Sequence, residues 1–371
     1  MKGGVSKICC IFNFAPHYRS SIYELMGKEL DCDFYFGDKS STPIKKLNYG
    51  ELKGFKQEIE NCYLGNTFFI WQKNVLKLVF KPSYKTFLLT GDSSILSNWL
   101  IAIFARLLNK KVIIWTHGMQ QPLTFTGKLI NYPLYYLSNK ILLYGNYGKK
   151  LMISEGFKVE KLEVIYNSLH HELQLKVRSK LNESDVYSSH FGNNFPVIIY
   201  VGRLQRVKKI DLILEAMNLL HTRNVFCNLV LLGEKMEDFR LDFSAGVNLE
   251  ACLWEYGPCY DENILGDLIY NSDVCVSPGN IGLTSVHSLS YGTPCITHNN
   301  FKFQMPEFEV IEEGETGDFF IENDAIDLAL KMEKWLGLEK GRREAVRDRA
   351  YAKIDQYYNP NYQLSVLKKV L

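Results

Sequence analysis

Residues 196–201 read Pro-Val-Ile-Ile-Tyr-Val, a continuous apolar run of the kind expected for a parallel strand covered on both faces. Gly202 ends the run, Arg203 follows immediately, and residues 211–220 then show helical apolar spacing. A strand, a loop and a helix in that order form the repeating unit of a doubly wound α/β sheet, whose ligands bind in loops at the carboxyl edge of the strands. Arg203 and Lys208 flank one such loop, where two cations suit a diphosphate; read singly, each is equally an ordinary solvated loop charge.

Residues 277–300 repeat the pattern with more polar chemistry. A short β-branched run at 273–277 is broken by Pro278 and Gly279, Gly282 permits close backbone approach, and a helical stretch begins at Leu283. Backbone N–H groups at such a helix start attract phosphate, and Thr284 and Ser285 are expected to add hydroxyl donors. Gly292, Thr293 and Pro294 then lead into another buried strand.

The order of these parts resembles nucleotide-sugar glycosyltransferases of the GT-B fold, and in particular glycosyltransferase family 4 (group 1), in its capsule and polysaccharide branch. The matching pieces are Val-Gly-Arg-Leu at 201–204, Lys208 five positions after Arg203, Leu-Leu-Gly-Glu at 231–234 and Trp-Glu-Tyr-Gly at 254–257. They continue through 272–278, Tyr-Gly-Thr-Pro at 291–294, Pro-Glu at 306–307 and Gly-Glu-Thr-Gly at 314–317. The resemblance implies an α/β GT-B protein of two doubly wound Rossmann-like domains facing a central cleft. It also implies that Arg203 and Lys208 hold the diphosphate of an NDP-sugar, beside Gly202, Gly282, Leu283 and Thr284, with the nucleotide near Tyr256, Gly257 and His287. One departure stands out. The family places two glutamates eight positions apart around the Gly-Leu turn, and here Gly279 and His287 occupy those positions. His287 retains a hydrogen bond for a ribose hydroxyl, whereas the sugar hydroxyls fall to Asn280 or to Glu307.

The first half of the chain has strand patterns at 8–14, 33–37, 86–91, 111–115, 140–145 and 162–166, with helical patterns such as 23–30 and 96–108 between them. This is a second doubly wound sheet. His17 and Arg19 follow its first strand, Asp92 its third and His117 its fourth, so their loops converge at one edge. If functional, His117 hydrogen-bonds the donor or the developing charge, and His17, Arg19 and Asp92 position the acceptor. The plainer alternative pairs the histidines with carbonyls and makes Arg19 and Asp92 helix caps.

Length and composition divide the chain into an acceptor domain at 1–180, a donor domain at 181–350 and a terminal helix at 351–371, broken at Asn359-Pro360, that crosses back to the first domain. The expected linker spans 178–195. Residues 1–180 carry 25 Lys and Arg against 13 Asp and Glu, a balance of +12, whereas residues 181–371 balance at −10. A basic acceptor half suits an anionic membrane surface or a lipid-linked acceptor, and residues 71–81 are expected to supply an amphipathic basic helix. Dispersed basic residues without a recognition motif speak against nucleic acid.

The longest apolar stretch, 95–108, is too short to span a bilayer, and the apolar start lacks a small-residue cleavage site. Nine cysteines without a Cys-x-x-Cys pair fit a reduced, cytoplasmic protein, peripheral on the inner face of the membrane at most. Asp31-Cys32-Asp33 opens a strand away from the donor loop, so no metal and no cofactor beyond the NDP-sugar co-substrate is expected. The resulting expectation is a metal-independent hexosyl or other glycosyl transfer, with retention, to a saccharide or lipid-linked saccharide in cell-surface polysaccharide synthesis. A nucleotide-sugar epimerase of the same fold and a non-catalytic sugar-nucleotide-binding subunit are the alternatives.

Overall fold

The computed structural model describes residues 7–40, 44–65, 68–237, 239–240 and 250–371. The first six residues of the apolar start lie outside that set. Two compact units emerge, one comprising Met1–His170 with Pro360–Leu371 and the other His171–Asn359.

The first unit contains strands β1 (Lys7–Phe12), β2 (Cys32–Gly37), β3 (Phe55–Ile59), β4 (Asn61–Tyr63), β5 (Ile70–Gln72), β6 (Tyr84–Thr90), β7 (Lys111–Thr116), β8 (Lys140–Leu143) and β9 (Leu162–Val164). Helices α1 (Ser20–Glu29), α2 (Leu96–Leu107), α3 (Phe125–Leu137) and α4 (Asn146–Ser154) connect them. Seven strands form one parallel sheet in the order β3-β2-β1-β6-β7-β8-β9, and β4 and β5 pair separately as an antiparallel ribbon. The central strands are apolar along their length because both faces are covered: Ile11, Phe87, Ile113 and Ile114 are fully buried. Edge strand β3 is instead polar, with Lys56, Gln57 and Glu58 exposed, which discourages pairing with another chain.

The second unit opens with α5 (His171–Arg178) and α6 (Val186–Phe191). It continues through β10 (Val197–Val201), α7 (Asp211–Thr222), β11 (Asn228–Leu232), β12 (Leu253–Gly257), α8 (Glu262–Asn271), β13 (Val274–Ser277), α9 (Leu283–Ser290), β14 (Cys295–His298), β15 (Gly317–Phe320), α10 (Ala325–Leu336) and α11 (Lys340–Tyr357). Its parallel sheet has the order β12-β11-β10-β13-β14-β15. In both sheets the chain winds outward one way and then the other, so the order reverses between β1 and β6 and between β10 and β13. At such a reversal the loops leaving the two strands diverge, opening a crevice at their carboxyl ends.

After α11 the chain returns to the first unit as α12 (Pro360–Val370), which packs on α1. Leu367 and Val370 are buried in the core beneath α1, and Gln363 donates to the Tyr166 carbonyl at 2.8 Å and accepts from Ser168 Oγ at 2.7 Å.

Three expectations change. The segment 178–195 is not an open linker, because α6 lies within it and Tyr187 anchors that helix on α8 by donating to the Leu268 carbonyl at 2.6 Å. The units also divide at His170/His171. Residues 71–81 form no amphipathic helix. Strand β5 ends at Gln72, Asn74 takes φ +63°, and only Leu76–Phe80 turns as a short 3-10 helix whose Leu78 and Val79 face the core together with Val75.

Candidate functional site

In the second unit the β10 and β13 loops meet at the reversal point. Gly202, at φ +145°, turns the chain out of β10 in a backbone conformation that favours glycine. Gly279 donates its N–H to the Lys208 carbonyl at 3.0 Å, and a Cβ on Gly279 would lie 2.5 Å from the Val207 oxygen. The family's carboxylate position is therefore closed to any side chain here.

Lys208 Nζ crosses to the β13 loop and donates to both the main-chain oxygen and Oδ1 of Asn280, at 2.6 and 2.8 Å. Burial, and then the neighbouring charge of Arg203, pulls the Lys208 ammonium down to about 8. Neither Arg203 nor Lys208 meets a carboxylate among the described residues, so two cations sit at this edge without an anion.

Gln304 holds the β13 loop in place. Its Oε1 accepts from the Ile281 N–H at 2.7 Å, and its Nε2 donates to Thr297 Oγ1 at 2.8 Å and to the His298 carbonyl at 3.0 Å. Helix α9 then starts behind Gly282, which places no capping side chain over the first-turn N–H groups. The hydroxyls expected to serve a ligand are engaged otherwise: Thr284 Oγ1 donates to the Val201 carbonyl at 2.9 Å, and Ser285 Oγ to the carbonyls of Gly282 and Glu307 at 2.9 and 3.0 Å. Leu283 and Thr284 thus contribute backbone and packing. Glu307 is buried in the one-turn helix Pro306–Val310.

His287 does not stand alone. Its Nε2 lies 2.8 Å from Glu262 Oε1, which also accepts the Tyr291 hydroxyl at 2.7 Å. Burial pushes the Glu262 carboxyl up, but the hydrogen bonds and charge of His287 and the Tyr291 hydroxyl outweigh it and hold the group at about 2. A carboxylate therefore stands directly behind the histidine that replaces one. Sequence reasoning missed Glu262 and Gln304, since nothing in the spacing of 262 and 287 or of 281 and 304 shows that they meet. Half-buried Tyr256 and Gly257, at φ +86°, end β12 and lead into α8, which begins with Glu262.

In the first unit the corresponding edge holds a cavity of about 450 Å³. Arg19, Asp92, His117 and Asn167 line it, with Trp115 and Tyr144. The Arg19 guanidinium lies 4.3 Å from the Trp115 ring and 5.5 and 5.7 Å from Tyr23 and Tyr144, while its Nε and Nη2 are shielded from solvent and find no hydrogen-bond acceptor among the described residues. Arg19 occupies the cap position of α1 without making a side-chain cap, so the helix-cap alternative is set aside. Asp92 is likewise not the cap of α2, which is Ile95; its Oδ1 accepts the Ser94 N–H at 2.9 Å. The His117 ring packs against Tyr144 at 4.9 Å. His17 falls outside the cavity wall, exposed, with Nδ1 3.3 Å from the Lys45 carbonyl.

Asp33 of the Asp-x-Asp string accepts from the Tyr84 hydroxyl at 2.7 Å and pairs with Lys7 and Lys56. Among the described residues, no group of three or more His, Cys, Asp or Glu is placed to hold a metal ion.

Two parallel doubly wound units, each with its candidate site at a reversal of strand order, define the GT-B class. Residues 183–353 match the family model for glycosyl transferases group 1. Among solved structures, Anabaena HepE in complex with UDP superposes with a TM-score of 0.72 at 15% identity, covering 98% of this chain and 99% of that one. The lipopolysaccharide outer core galactosyltransferase WaaB superposes at 0.70 and 15% identity, with 98% and 99% covered. A glycosyltransferase from Rickettsia africae gives 0.70 and 15%, with 98% and 97% covered. No curated protein matches the chain. The chain therefore has the GT-B fold, and its second unit resembles the glycosyl transferases group 1 family.

Proposed function

We propose that the second unit holds an NDP-sugar with its diphosphate on Arg203, Lys208 and the backbone at Gly202 and Gly282–Thr284, its sugar near Asn280, and its nucleotide near Tyr256, Gly257 and His287. The observation that carries this reading is the pair of cations, Arg203 and Lys208, standing without a carboxylate among the described residues at the β10/β13 reversal. In the transfer, the C1–O bond to the diphosphate breaks as the acceptor oxygen bonds to C1, and the acceptor's proton passes to the departing diphosphate. The negative charge that grows on the departing diphosphate is met by cations already in place, which supplies rate without rearrangement. Retention of configuration follows from the family resemblance.

The first-unit cavity is the acceptor site in this reading. His117 hydrogen-bonds the developing charge, and Arg19 and Asp92 orient a saccharide or lipid-linked saccharide of cell-surface polysaccharide synthesis. His17, outside the cavity wall, takes no part. Buried Glu307 supports the donor loop through the Ser285 bond to its carbonyl.

Thermal shift with UDP-, GDP-, ADP-, dTDP- and CMP-sugars tests the donor site, starting from UDP-sugars because HepE binds UDP. One nucleotide class is expected to stabilise the protein, and Arg203→Ala/Lys208→Ala to abolish the shift. A folded protein that no nucleotide stabilises would overturn the reading.

A further inference from the structure

Helix α3 has two dissimilar long faces. On its inner face, Leu134 and Tyr135 are buried, and Asn131 and Tyr135 line the acceptor cavity. On the other, Phe125, Leu129 and Tyr136 fall along one stripe at helical spacing and are 77%, 61% and 49% exposed. Leu107, at the end of neighbouring α2, is 71% exposed. Single exposed apolar residues are ordinary, but a ridge of large ones on a helix that also walls a binding cavity is not.

Cations gather where this ridge ends. Lys161 Nζ donates to the carbonyls of Tyr136 and Ser138 at 3.0 and 2.9 Å, and Arg106 Nη1 reaches the Leu137 carbonyl at 3.5 Å. Burial, then the positive charges of Arg106 and Lys158, pulls the Lys161 ammonium down, which places all three cations within electrostatic reach of one another; Glu160 is the acidic group that opposes them. Along the ridge, Lys128 pairs with Glu155 at 2.5 Å. Apolar side chains flanked by clustered like charges suit a surface that offers both hydrocarbon and negative headgroups. A second copy of the chain fits poorly, because a two-fold contact through this face would put the same positively charged patch on both sides of it.

We propose that the outer face of α3, with Leu107 and the Arg106, Lys158 and Lys161 cluster, docks on an anionic lipid bilayer, so that the helix walling the acceptor cavity is itself seated in the membrane interface. This rests on the acceptor role of that cavity and fixes the acceptor class as lipid-linked. It also replaces residues 71–81, where Val75, Leu78 and Val79 lie in the core, as the membrane-facing segment.

The test is co-sedimentation of the full-length protein with phosphatidylcholine vesicles and with vesicles containing added phosphatidylglycerol. Binding is expected only to the second kind. Phe125→Ser/Leu129→Ser and, separately, Arg106→Glu/Lys158→Glu should each weaken it about tenfold or more, since each basic residue near an anionic surface and each buried apolar side chain contributes on the order of 1 kcal/mol or more. All four positions are exposed, and melting temperature and nucleotide affinity should stay at wild-type values. Absence of vesicle binding, binding that survives both double variants, or a concentration-dependent dimer abolished by Phe125→Ser/Leu129→Ser would overturn the proposal. Vesicle binding with wild-type affinity but no nucleotide binding would instead sink the donor reading and leave the docking face standing.

Discussion

Lys208 bears the largest physical conflict in the loop that follows β10. Its ammonium is held at two Asn280 oxygens, yet burial and Arg203 draw its proton affinity down to about 8. A diphosphate arriving beside it favours the charged form and raises the pKa of the complex above that of the free protein. Binding therefore takes up a proton once the pH exceeds about 8, so affinity for an NDP-sugar is full below that pH and falls above it, by up to about tenfold per pH unit until the pKa of the complex is reached. Calorimetric titration across pH 7 to 10 in buffers of different ionisation enthalpy measures both the affinity and the proton uptake. Lys208→Arg should lose the dependence, because a guanidinium does not titrate there. A Lys208→Arg profile that bends at the same pH would assign the titration to another group.

At the scale of elements, the β13 loop and α9 show how far the sequence can be read. The strand, the Pro278-Gly279 break and the helix start at Leu283 follow from apolar periodicity and glycine placement, whereas the strand order that makes this edge a site is set by tertiary pairing. Which side chains reach across does not follow, because Gln304 and Glu262 meet the loop only through tertiary packing. The same limit explains residues 71–81: their spacing fits a helix, but pairing of β5 with β4 and the positive φ of Asn74 override it. Close approach also shows why restoring the family's missing carboxylate should fail. Gly279→Glu places a Cβ against the Val207 oxygen and Lys208 Cα, at 2.5 and 2.7 Å, and these are backbone atoms that cannot swing aside. Overpacking of this kind costs about 1–3 kcal/mol, so the variant should melt lower and bind the nucleotide more weakly, not more tightly, as the Lys208 loop is displaced. Gly279→Ala should show most of the same loss, since the Cβ causes it. Tight binding by Gly279→Glu would mean that the two loops separate easily.

On the scale of the whole molecule, the chain crosses between its units twice, once near His170 and once at Asn359-Pro360, so the last helix belongs to the unit that begins the sequence. Its contribution is packing: Leu367 is fully buried in the core shared with Ile22, Tyr23 and Met26 of α1, whereas Arg203, Lys208 and His287, proposed to hold the donor, all belong to the other unit. Leu367→Ala leaves a cavity in that core and should destabilise the first unit by about 2–5 kcal/mol. Calorimetric melting should then show an early transition that added nucleotide does not move, followed by a second that nucleotide raises as ligand linkage requires. Nucleotide affinity, measured below the first transition, should remain within about twofold of wild type, because the site lies outside the unit that has lost the side chain. Loss of nucleotide binding in step with the first transition would show that the second unit depends on α12 for its own fold. Survival of that binding would establish that donor recognition is complete within His171–Asn359.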